Sequence, residues 1–204
     1  MFGEFRISIM RTTCCFAMGR KILVGRGFRI IGLQNVALLA GARLSLGTLP
    51  YGFADSKERG ILRIRGRLSV AQGVAIGVGS RLDVGSGAKL EIGENTYLSP
   101  GVKVIITKGL LFGNGCAVGW NAQFLDSDFH QIGSIGEPFS EMAAPIKIGH
   151  HVWIGSHAKV FKGVTIADGC VVAGNSTVTK SFEIPNSLIG GTPARVLRAN
   201  IRWR

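Results

Sequence analysis

At 204 residues the chain has the length of one domain, and 30 glycines beside only 2 tyrosines suit a coil of tight corners filled by Ile, Val and Leu. Twenty-four Lys and Arg against twelve Asp and Glu give a formal charge of +12, which asks for an acidic partner: nucleic acid, anionic lipid, a phosphorylated cofactor or a polyanionic glycan. The four cysteines show neither a disulfide framework nor metal-ligand spacing, and the apolar stretch from Ile7 to Met18 is broken by Arg11 with no cleavage site after it. No spanning helix and no signal peptide are therefore expected, and the cytoplasm is the expected compartment.

In chain order, residues 1–21 follow no repeat and are expected to form an N-terminal cap, with a short helix, over one end of the molecule. Peripheral association of this segment with a membrane surface is the competing expectation. Basic residues cluster here (Arg6, Arg11, Arg20, Lys21, Arg26, Arg29), again at Arg59, Arg63, Arg65 and Arg67, and at the far end in Arg195, Arg198, Arg202 and Arg204. From Val24 an aliphatic recurs every sixth residue: Val24, Ile30, Val36, Ala42. A Gly- and Pro-containing break at 48–60 reads as a loop thrown out of the scaffold. The period resumes at Ile64, Val70, Ile76 and Leu82, slips through VGSGAKLE, and restarts at Ile92, Leu98, Val104, Leu110, Cys116 and Ala122. It fails a second time over 126–145.

The period is clearest from Ile148 to Lys180, where Ile148, Ile154, Val160, Ile166, Val172 and Val178 fall six apart. This is neither a helix period nor strand alternation. A unit of one very short strand and one turn cannot bury its apolar face alone, so neighbouring units must stack and supply the core. The spacing predicts a parallel β-solenoid spanning 22–180, with excursions near 48–60 and 126–145 and a C-terminal tail over 181–204. Within that tail Gly190-Gly191 and Pro193 make a turn and ARVLRANIR is expected to form a short basic helix. Cys116 and Cys170 fall on repeat positions and are expected to point inward.

The segment VWIGSHAKVFKGVTIADGCVVAGNSTVTK followed by GGTPARVLR resembles the C-terminal part of the hexapeptide-repeat acetyltransferases, in detail over 116–198. The resemblance implies an all-β fold, a left-handed parallel β-helix, and an acetyl-coenzyme A-dependent O-acetyltransferase of the type that modifies bacterial capsule or other cell-surface polysaccharides. It also implies a homotrimer with active sites between subunits.

Carried over by position, His130 in DSDFH is the expected catalytic base, a task for which imidazole is suited near neutral pH. Trp153 of the WIG motif is expected beside the thiol end of coenzyme A, with the amides of Gly155 and Ser156 receiving the thioester oxygen as negative charge builds on it. Ala173, Gly174, Thr179 and Lys180 match positions lining the cofactor, and Arg195 and Arg198 match basic residues that meet its phosphates. Asp126 and Asp128 are candidates to orient His130 or to contact the sugar, and Asn121 is a substrate candidate.

His150, His151 and His157 fall at corners and are read as structural. Their spacing does not match the three-histidine zinc site of γ-type carbonic anhydrases, so no metal is expected. With no nucleic-acid module and few aromatics among the basic clusters, nucleic acid is not an expected partner. The charge favours an anionic glycan acceptor. Two rivals remain: an N-acetyltransferase acting on a nucleotide-linked amino sugar or other small amine, and a non-catalytic solenoid that binds polyanions.

Overall fold

The computed structural model describes residues 7–48, 54–55 and 57–204. Residues 49–53 and 56 of the 48–60 excursion lie outside the described residues. Short strands stack in parallel into three sheets, of nine, seven and six strands among the described residues. Each turn of the chain contributes one strand to each sheet in order, the topology of a three-sided solenoid.

The six-residue aliphatics become continuous internal columns. In the nine-stranded sheet Leu46 lies opposite Ile76, then Leu98, Val118, Ile154, Val172 and Ile189. In the seven-stranded sheet Leu62 is followed by Leu82, Val104, Phe124, Val160 and Val178. All of these are fully buried. Phe112 and Phe124 meet edge to face, their centroids 5.0 Å apart, where the larger coils need more filling. Cys116 and Cys170 are buried as expected.

Ile154 and Val172 are stacked partners eighteen residues apart, three ideal hexapeptides. Leu82 and Val104 are also stacked partners, yet twenty-two residues apart. The slip at VGSGAKLE is thus a longer corner that leaves the rung intact.

From Ile76 onward, corners on either side of the nine-stranded sheet take a left-handed backbone. The third residue after its internal aliphatic, from Ile76 to Val172, is Gly79, Gly101, Asn121, His157 or Asn175, all with φ between 57° and 76°. The third residue before it is Gly73, Asn95, Gly115, His151, Gly169 or Asn186, all with φ between 51° and 76°. Gly and Asn tolerate this region best. His151 and His157 occupy these corner positions.

Both ends of the solenoid are covered. The helix Ile9–Ala17 lies along the open edge of the first coil, with Cys15 buried beneath it. Ser8 N–H donates to Val24 O and Thr12 Oγ1 accepts from Val24 N–H. Arg11 donates to the carbonyls of Arg26 and Phe28, and Arg20 to those of Val36 and Gln34. Edge groups of all three faces are thereby satisfied, which removes a template for pairing with another chain. No helix among the described residues is long and apolar enough to cross a membrane.

At the other end the structure corrects the expected helix. Ala194–Arg198 is a strand, antiparallel to Leu188–Gly191. An isolated basic helix of nine residues is marginal in water. The unpaired edge of Leu188–Gly191 offers a row of hydrogen bonds instead, and the turn through Gly191, at φ 101°, reverses the chain onto it.

The internal columns set the stability. Phe124→Ala should lower the unfolding free energy by about 3–5 kcal/mol, measured by urea denaturation, because the rungs above and below prevent the site from collapsing.

Candidate active site

The nine-stranded sheet points a second row of residues outward, in register: Ala75, Tyr97, Ala117 and Trp153. Ala117 sits between the two aromatics and leaves a slot. Tyr97 and Trp153, two strands apart, are separated by about 10 Å at the backbone. A groove of 780 Å³ opens there, lined by Ala75, Tyr97, Ser99, Ala117, Gly119, Trp120, Trp153, Ser156, Trp203 and Arg204. Trp153 is 44% exposed.

Trp153 and Ser156 therefore share one groove, whereas Gly155 is displaced from its expected role. Its N–H donates to Val172 O at 2.7 Å as part of the coil-to-coil ladder, so it is not available to an oxyanion. Gly155 is required for close approach: a Cβ there would lie 2.5 Å from Gly174 N. Ser156 N–H makes no hydrogen bond among the described residues. It lies over Gly119, where a Cβ would come within 2.6 Å of it. Gly119, Ser99, Tyr97, Trp120 and Trp203 were not among the expected site residues. The first four come from the two preceding coils, which the stacking register brings to Trp153, and Trp203 comes from the tail after the last strand.

His130 is exposed, on the loop that leaves the seven-stranded sheet after Leu125. Its Nδ1 lies 3.3 Å from Asp128 O. A carbonyl only accepts, so Nδ1 is the donor in this contact, and in the neutral ring the lone pair lies on Nε2. Phe129 between them takes φ 59°, a costly value for an aromatic residue, and its N–H is held by Ser127 Oγ at 3.0 Å. The loop base is pinned by the Ser127–Ala143 bridge and by hydrogen bonds from Asp128 N–H to Met142 O and from Ala144 N–H to Asp126 O. The half-buried Lys162 clamps it further, pairing with the Asp128 carboxylate at 2.6 Å and donating to Glu141 O.

The two aspartates have other roles than those expected. Asp126 is fully buried, and its carboxylate accepts from Thr107 N–H, Thr107 Oγ1, Lys108 N–H and Gly109 N–H. All four acceptor positions are filled, so no oxygen remains for His130 or for a sugar. It fixes a corner of the preceding coil. The Asp128 carboxylate turns to Lys162, and only its main-chain carbonyl meets His130. Asn121 holds a left-handed corner beside Gly101, which has no room for a side chain, and does not line the groove. His130 does not line it either.

The expected cofactor positions spread over the last coils. Ala173 donates its N–H to Ile189 O, next to Gly190, which pairs with Arg195. Gly174, Thr179, Lys180, Arg195 and Arg198 are exposed, and Lys180 Nζ lies 5.8 Å from the centre of the Phe182 ring. Arg198 stands in the same register column as Trp153, three strands along and so about 14 Å away. No group of three or more His, Cys, Asp or Glu able to hold a metal ion occurs among the described residues.

Burial pushes the Cys15, Cys116 and Cys170 thiols above the ordinary cysteine range, which suppresses the nucleophilic thiolate. Cys14 is exposed. A thiol reagent should label only Cys14 rapidly in the native protein. Labelling of the other three should turn on at higher pH, not lower, when followed by mass spectrometry.

Residues 145–180 match the family model for the bacterial transferase hexapeptide (six repeats). An uncharacterized 24.8 kDa protein in the cps region of Klebsiella pneumoniae is 30% identical over 216 aligned positions, covering 98% of this chain and 96% of that one. Galactoside O-acetyltransferase of Escherichia coli is 45% identical over 69 residues, 34% of this chain and 32% of that protein, so the chain spans about a third of its length. A hexapeptide-repeat acetyltransferase of Vibrio cholerae, solved with acetyl coenzyme A, is 29% identical with a TM-score of 0.51 over 59% of this chain and 64% of that one. With its stacked six-residue columns, its matching repeat segment and a relative that spans its length, the chain belongs to the bacterial hexapeptide-repeat transferase family and adopts its left-handed parallel β-helix.

Proposed function

We propose that the protein is an acetyl-coenzyme A-dependent O-acetyltransferase acting on a hydroxyl of an anionic cell-surface polysaccharide or its precursor, in the cytoplasm. The observation that carries this reading is the state of His130: an exposed imidazole on a pinned loop, with Nδ1 occupied and Nε2 available. Nε2 takes the proton of the acceptor hydroxyl. The oxygen attacks the thioester carbonyl carbon, forming the C–O bond. The Ser156 N–H receives the charge on the carbonyl oxygen, beside Trp153. The C–S bond breaks, and the leaving thiolate recovers the proton from His130.

Direct transfer fits the inward cysteines. Ala173, Gly174, Thr179 and Lys180 line the donor, and Arg195 and Arg198 meet its phosphates. The residues suit such a donor: an unoccupied amide over a glycine at the thioester end and two exposed guanidinium groups at the other.

Because His130 does not line the groove of its own chain, a neighbouring copy in a homotrimer supplies it. The loop that carries it leaves Ile132, Ile135 and Phe139 exposed, apolar surface suited to a second subunit. An acidic acceptor is supported by the outward face of the seven-stranded sheet. Arg29, Arg81, Lys103 and Lys159 fall in one register column there, interrupted by Ile61 and Gln123. A polyanion can follow such a line along the solenoid axis.

Release of thiol from acetyl-coenzyme A over a glycan panel tests the reading. His130→Ala should lower turnover by about 10²–10⁴-fold with donor binding retained. An unchanged rate in that variant rejects the assigned base, and turnover confined to amines moves the protein to the N-acetyltransferases.

The charged groups predict a second result. Arg195→Ala with Arg198→Ala should raise the KM for acetyl-coenzyme A by about tenfold, and acceptor KM should rise with salt for anionic but not neutral glycans. Salt-insensitive kinetics on all glycans would remove the case for an acidic acceptor.

A further inference from the structure

The chain has three tryptophans in all, and Trp120, Trp153 and Trp203 line the same groove, with Tyr97, one of only two tyrosines, opposite them. Trp203 arrives there on the tail that follows the last strand. Ile201 N–H donates to Asn186 O, and the chain then runs along the column of left-handed corners to His151. There Trp203 is fixed three times. Its Nε1–H donates to His151 O at 3.0 Å, and its own carbonyl lies 3.2 Å from His151 Nε2. Its ring stacks on the imidazole at 4.0 Å and 4°. Its ring centre is 6.1 Å from that of Trp153.

Residues 199–204, which follow the last strand, take no part in the solenoid core. A tail residue held so rigidly outside the core, against the groove that contains Trp153 and the unpaired Ser156 amide, has a role in that groove.

We infer that Trp203, with Trp120 and Tyr97, forms a saccharide-stacking wall that holds the acceptor sugar beside Trp153. The inference rests on the acyltransfer reading and names the tail as a specificity element of that site. The chemistry matches a pyranose. Such a ring has an apolar C–H face that packs on an indole and a hydroxyl rim that needs polar partners. Tyr97, Ser99, Ser156 and Arg204, which line the same groove, supply those partners. Arg204 adds a cation for an acidic sugar.

The test uses the full chain and separates this wall from the reaction. Saturation-transfer NMR, with no acetyl-coenzyme A present, reports contact between the aromatic rings and trimers of sialic acid, galacturonic acid and glucose. The wild type should transfer to pyranose C–H protons of at least one trimer. Trp203→Ala should weaken that sugar about tenfold, and Trp203→Phe should restore most of it. In turnover assays Trp203→Ala should raise the acceptor KM while leaving the KM for acetyl-coenzyme A within about twofold.

A rise confined to the acetyl-coenzyme A KM overturns the proposal and assigns the wall to the donor. No transfer to any trimer, or no change in either KM, also overturns it. If the wild type turns over no acceptor, the acyltransfer reading fails while the NMR titration still decides the wall. An unchanged melting temperature in Trp203→Ala distinguishes loss of the wall from loss of the fold, and Trp203→Leu, which keeps apolar bulk without an aromatic face, serves if the alanine variant does not fold.

Discussion

Everything in this molecule depends on the parallel hydrogen-bond ladder that holds one coil on the next. Each ladder rung places an aliphatic of one coil directly on an aliphatic of the next, so that columns such as Leu98, Val118, Ile154 and Val172 exclude water without interruption. No single coil can do this, because a strand of two or three residues buries only one or two side chains. The ladder tolerates coils of unequal length. Val118 and Ile154 are stacked partners although thirty-six residues separate them, and the surplus leaves as the loop that carries His130. A long excursion costs little when both of its ends sit on adjacent rungs.

The same register that builds the core composes the outer surface. Residues far apart in sequence are brought into rows one strand apart, and the chemistry of a row is set by which residues share it. On one face the row contains Tyr97, Ala117 and Trp153, and the small central residue makes a slot between two rings. On another face it contains four cations. Shifting either strand by one residue would exchange inner and outer sets and destroy core and site together.

Polar groups near the site divide between holding and acting. Asp126 is consumed by backbone donors, Asp128 by Lys162, and Gly155 N–H by the ladder. Among the described residues, His130 Nε2 and the Ser156 amide keep no hydrogen-bond partner once these are satisfied, and both stay open to a ligand. A buried or clamped partner is what keeps an exposed catalytic group in one place: Lys162 fixes Asp128, and the Asp128 carbonyl fixes the His130 tautomer.

The repeat, the inward columns and the excursion after Leu125 were legible in the amino-acid order, because each follows from the six-residue period or its failure. Local residue types also announced the corners, since a left-handed backbone selects Gly and Asn. The tail was misread: ARVLR has no strong preference of its own, and the open edge of Leu188–Gly191 made it a strand. Asp126 looked like a site residue because a carboxylate near a histidine is locally indistinguishable from one that ties a corner; its four donors lie seventeen to nineteen positions upstream. The amino-acid sequence alone determined the solenoid and its period, because hydrophobic spacing acts within each coil. Only the tertiary structure decided which side chains share the groove, because the number of residues in each corner sets which rungs meet: stacking brings Trp120 to Trp153, and the tail after the last strand, held at Asn186 and His151, brings Trp203.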